Sequence, residues 1–110
     1  MTDLEELENF RRNKRTPLDM TELNKLEKML KDAGETVKRY AIDGGAQIVI
    51  YRNGKRYWDA LITKYSYGHQ DGLLEIMGKP VVDEKKDGDR VAGWLTAKDI
   101  MERVRKGTGR

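Results

Sequence analysis

A single histidine, His69, lies in the segment SYGHQDGLLEIMGKP, residues 66–80, among groups able to move protons. Asp71 stands two residues on as an orienting carboxylate, and Ser66 or Tyr67 would have to act as the nucleophile of a hydrolase. Residues at i and i+2 share one side only on an extended chain. Gly68 and Gly72 bracket the histidine as turn residues do. The preferred reading is therefore a surface histidine in a turn, and no catalytic residue is assigned.

Metal chemistry is no better served. His69 with Asp71 and Glu75 lacks the paired ligand spacing of zinc sites. Asp59 with Glu75 would suit a nuclease-like carboxylate pair, but Lys79 falls four residues past Glu75, out of register for such a site. Asp59 is expected instead at a sheet edge or paired with an Arg or Lys. Asp83, Asp87 and Asp89 match a calcium loop in composition alone, since Lys85 and Lys86 stand where ligands are needed. Gly44-Gly45 and the terminal GTGR do not open a helix, as a phosphate-binding loop must. Neither a metal nor a cofactor is expected.

The remaining signal is a basic run interleaved with aromatics: Lys38, Arg39 and Tyr40, then Arg52, Lys55, Arg56, Tyr57 and Trp58, then Lys64 and Tyr65. Basic grooves with stacking rings on a sheet bind single-stranded nucleic acid. The competing and preferred account has Tyr57 and Trp58 in the core and the charges keeping sheet edges soluble.

These residues need elements to hold them. An N-terminal helix is expected, with Thr2 and Glu5 at capping-box spacing and Leu4, Leu7 and Phe10 on one face. That thin stripe suits a peripheral helix or a docking face for a partner. Thr16-Pro17 ends it. A second helix should start near Asp19, with Glu22 completing a capping box, carry the stripe Leu23, Leu26, Leu30 and Ala33, and stop at Gly34. Strands follow. Residues 37–42 turn at Gly44-Gly45. AQIVIYR and KRYWDALIT flank Asn53-Gly54, a strong hairpin signal because both turn residues take positive φ. A plain two-residue loop would set Tyr51 opposite Arg56, Ile50 opposite Tyr57 and Val49 opposite Trp58, in a hairpin central to the sheet. Residues 73–77 read as a strand and 83–90 as a charged loop. Val91 to Leu95 leads into a last helix over residues 97–106, with Thr96 as N-cap, Asp99 three residues on, and Leu95 and Ile100 as a hydrophobic staple. Residues 107–110 should fray.

The chain has 110 residues, 37% of them charged, with a net charge of +3. That is the size of one domain, large enough for a core without disulfides. It contains no cysteine, which excludes disulfides, thiolate metal sites and cysteine nucleophiles. The acidic first turns do not resemble a signal peptide and no apolar run is of membrane-spanning length, so a cytoplasmic location without membrane contact is expected. Charge is uneven. Residues 34–67 carry six basic and three acidic side chains, and 95–110 five and two.

Two blocks, Ser66-Tyr67-Gly68 with Gly72 to Glu75 and Met77-Gly78, and Gly93 to Ala97 with Asp99, form the pattern SYGxxxGLLExMG … GWLTAxD. From about Leu23 to Val104 the chain resembles small uncharacterised proteins of phages, prophages and mobile elements in Gram-positive bacteria. The resemblance implies an accessory role, binding a host or phage protein or nucleic acid, and brings no catalytic residue. Position 69 departs from it, being histidine where relatives carry tyrosine.

The expectation is an α+β domain with two N-terminal helices, a mainly antiparallel sheet around the Asn53-Gly54 hairpin and a closing helix. Leu23, Leu26, Leu30, Ile100 and Val104 should be buried beneath the helices.

Overall fold

The computed structural model describes residues 18–107. The architecture is α+β: helix α1 (Thr21–Asp32), strands β1 (Thr36–Ile42), β2 (Gly45–Arg52), β3 (Lys55–Ile62) and β4 (Leu74–Met77), a one-turn helix α2 (Glu84–Asp87), strand β5 (Val91–Leu95) and helix α3 (Ala97–Lys106). The five strands form one antiparallel sheet in chain order, β1-β2-β3-β4-β5. The expected first helix, with Leu4, Leu7 and Phe10, lies outside the described residues.

Helix α1 forms where the apolar spacing places it. Leu23, Leu26 and Leu30 are fully buried, and each contributes about 1.5–3 kcal/mol by leaving water. Gly34, at φ +87°, ends it, with the Glu35 N–H donating to the Leu30 carbonyl and the Gly34 N–H to that of Lys31. Its start differs from expectation. Asp19 accepts from the Thr21 N–H at 3.0 Å, while Glu22 closes no capping box. Glu22 instead accepts from the Ala97 N–H, 2.9 Å away at the start of α3. There Thr96 and Asp99 do form a reciprocal capping box. The two helices are thus joined at their N-termini over one face of the sheet.

Two hairpins build the sheet's first half. Asn53 and Gly54 take positive φ, as the Asn-Gly pair requires, and Asp43 and Gly44 do the same. The first turn is therefore Asp43-Gly44, with Gly45 already in β2. A Cβ at Gly45 would lie 1.9 Å from the Ile62 carbonyl oxygen, so side-chain bulk is excluded there.

The second hairpin corrects the plain register. Tyr51 pairs with Arg56 as expected, but Ile50 pairs with Trp58 and Val49 with Asp59. Tyr57 is the extra residue of a β-bulge. A one-residue slip exchanges the faces of a strand, and here the exchange decides the core. Trp58, Ala60 and Ile62 turn inward under the helices, while Asp59 and Leu61 join the opposite face. Without the bulge the Trp58 indole would stand outside.

Residues 91–95, expected to lead into the last helix, form β5. The expected charged loop 83–90 contains α2. Asp83 caps it, accepting from the Lys85 N–H, and Asp87 binds Arg103 of α3 through two bonds of 2.9 and 3.0 Å. Helix α3 buries Ile100 fully, while Met101 and Val104 pack half-buried against the core. Among the described residues no helix is long and apolar enough to cross a membrane.

Candidate functional site

The helices cover the face formed by Ala46, Ile48, Ile50, Trp58, Ala60, Ile62, Leu74 and Ile76. The opposite face carries two rows of paired side chains. One runs Tyr40, Gln47, Leu61, Glu75; the other runs Lys38, Val49, Asp59, Met77, Val91. Tyr51 and Arg56 follow at the hairpin end.

The basic residues singled out in the sequence do not share one groove. Arg39 points to the helix side, donating to Asn24 at 2.9 Å and Glu27 at 2.7 Å. Arg52 pairs with Glu35 at 3.0 Å and lies 4.4 Å from the Tyr57 ring centroid. Tyr57 is half-buried beside the core. Lys55 opens β3 and Lys64 lies just past its other end, with a strand of about 23 Å between them at the usual rise per residue. Lys64 instead covers Tyr65, 5.2 Å from its centroid. Of the basic residues named above, Lys38 and Arg56 remain with the face opposite the helices. They sit near Tyr40 and Tyr51, whose hydroxyls are 3.0 Å apart, and Lys38 lies 5.4 Å from the Tyr51 centroid.

Asp59 does not lie at a sheet edge, and among the described residues it forms no ion pair. It occupies the central strand, is only 7% exposed, and accepts from Gln47 Nε2 at 2.7 Å. Burial pushes its carboxyl up from the ordinary value, while Gln47 and then Arg56 pull it back. Glu75 stands diagonally across the same face. Among the described residues no group of three or more His, Asp or Glu side chains could hold a metal.

The segment around His69 is a turn. Residues His69–Asp71 make one 3-10 turn between Gly68 and Gly72, both left-handed. His69 Nδ1 lies 2.7 Å from the Ser66 carbonyl oxygen. The Ser66 hydroxyl donates to the Thr63 carbonyl and accepts the Thr63 N–H. It is engaged in the turn, and no contact joins it to the imidazole as nucleophile to base.

What the sequence did not reveal is what this turn presents. Tyr67 folds over β5 and stacks on Trp94, with centroids 5.2 Å apart and planes 18° from parallel. Gly93 makes room for it, since a Cβ there would come within 2.4 Å of Tyr67 Cβ. Glu75 Oε1 accepts from the Tyr67 N–H at 3.3 Å, and the Tyr67 carbonyl accepts from the Trp94 N–H at 3.4 Å. Trp94 sits in a bulge of β5 opposite Glu75, at φ +56°. A bulky residue in that region is a genuine outlier. Its indole is 59% exposed, beside Tyr67 at 48%. The two sequence blocks SYGxxxGLLExMG and GWLTAxD meet at this spot.

No protein-family model, curated protein or solved structure matches the chain. The functional reading therefore rests on the geometry.

Proposed function

We propose that this domain is a non-catalytic accessory or regulatory module of mobile-element type, acting in the cytoplasm, that binds a host or phage protein through the sheet face opposite the helices. The observation that carries this is Trp94, held exposed in a strained backbone conformation and backed by Tyr67. Strained residues persist where function retains them. Trp, Tyr, Met and Arg are the side chains enriched in protein interfaces. Trp94, Tyr67, Tyr40, Met77 and Arg56 supply that set on one side of the sheet.

The test is site-specific photocrosslinking in host cells, with benzoylphenylalanine at Met77 on that face and at Lys28 on α1. One discrete adduct from Met77, none from Lys28, and loss of the Met77 adduct on Trp94→Ala would support the reading. Equal labelling from both positions would reject it.

A second reading, single-stranded nucleic acid, is favoured by one observation. Lys38 and Arg56 have no ion pair among the described residues and flank Tyr40, which is 42% exposed. They offer about two phosphate contacts, so affinity should fall with salt at a log–log slope of about −1.4. Oligonucleotide anisotropy across a salt series measures it. A flat baseline at low salt would remove this reading.

A further inference from the structure

We infer that the Tyr67–Trp94 pair, with the carboxylate of Glu75, is a recognition site for an arginine side chain presented by the partner protein. The inference rests on the protein-binding reading and specifies its chemistry.

Three features converge. The stacked rings leave the indole exposed, and an aromatic face attracts a cation through its quadrupole, tryptophan most strongly. Glu75 supplies the counter-charge. One of its oxygens holds the Tyr67 N–H, which fixes the carboxylate beside the ring pair, and among the described residues it has no cationic partner. A net-positive chain thus sets a carboxylate, unpaired among the described residues, beside its more exposed indole. Charge complementarity then selects a basic occupant. The Glu75 carboxylate is of the wrong sign for a phosphate backbone, so this end of the face opposes the nucleic-acid reading.

Arginine fits better than lysine. Its planar guanidinium stacks on an aromatic face while its edge N–H groups donate to a carboxylate. It is also more weakly hydrated, so less is lost when it leaves water. Tyr67 and Gly93 position the indole, and Trp94 and Glu75 make the contacts.

The experiment titrates the full chain with a capped tri-arginine peptide and follows the two indole N–H resonances by NMR. Trp58, 3% exposed in the core, serves as internal reference. Saturable movement of the Trp94 signal at millimolar peptide is expected, with Trp58 unmoved, and tri-lysine should bind several-fold more weakly. Glu75→Gln should weaken tri-arginine by up to about fivefold, the scale of one exposed charge contact. In Trp94→Ala, the saturable shift of the Tyr67 amide should vanish.

No saturable shift by about 10 mM, equal affinity for tri-lysine, or no effect of Glu75→Gln would each overturn the inference. A Trp94 signal moved by an oligothymidylate and not by tri-arginine would overturn it in favour of nucleic acid. If the crosslink from Met77 forms while tri-arginine fails, the binding module stands and the arginine does not.

Discussion

Trp94 combines two costs that a folded chain normally avoids. Its positive φ is unfavourable by about 1–3 kcal/mol, and with most of its surface in water it regains little by burial. The stack on Tyr67 offsets about 0.5–1.5 kcal/mol of this. Trp94→Gly, which relieves the backbone, should therefore leave the melting temperature unchanged or raise it by up to about 5 °C, while abolishing the Met77 crosslink. A fall of several degrees would instead make the indole a structural prop. Asp59 carries the second prediction at this scale. Its folded pKa lies above the 3.8 of the free side chain, so the folded state holds the proton more tightly than the unfolded chain. Stability from this group is present below that value and is lost as pH rises through the folded pKa. Asn can still accept from Gln47 and never ionises. Asp59→Asn should thus gain on the parent between about pH 3 and pH 7 in matched urea melts. A constant offset across the range would contradict the argument.

Among the elements, α2 is the least expected, being four residues of EKKD held by contacts at both ends. Asp83 caps it, and Arg103 clasps Asp87 from α3 while also donating to the Val81 carbonyl at 3.0 Å. Arg103 holds the Asp87 carboxyl below its usual range, so this contribution is present above about pH 4 and is lost as pH falls through the folded pKa. Arg103→Ala should cost about 1–3 kcal/mol at neutral pH, and the deficit should shrink in acid. Denaturant melts at several pH values measure both. What was legible in the sequence follows the same divide between local and distant causes. Helix α1, the Asn53-Gly54 turn, the strand at 74–77 and the Thr96 cap are written in neighbouring residues. The Tyr57 bulge was not, because it is selected by the need to bury Trp58. Strand β5 was hidden by its shortness and by the helix cap that follows it. The Tyr67–Trp94 pair joins residues 27 positions apart, and nothing local marks Trp94 for positive φ. The placement of the basic run was not legible for a related reason. Alternation sends Lys38 and Arg39 to opposite faces, and charge counting does not resolve faces.

On the scale of the whole molecule, the described helices cover one face of the sheet, and its two edges are unlike. β2 and β3 are paired on both sides, whereas β5 is an edge strand broken by its bulge. Native-state hydrogen exchange should therefore be slowest in residues 48–50 and 58–62 and markedly faster in 91–95. Equal protection of β5 and β3 would count against this order. The meander also has a consequence during synthesis. Because strand order equals chain order, each strand can pair with the one made just before it, and the connections, residues 43–44, 53–54, 63–73 and 78–90, are all local in sequence. The helical cover cannot be finished that way. Glu22 waits for Ala97, 75 residues later. Until α3 emerges from the ribosome, a nearly complete sheet carries its aliphatic underside only partly shielded. Nascent chains of this protein are then expected to engage hydrophobic-binding chaperones most strongly when the sheet is already made.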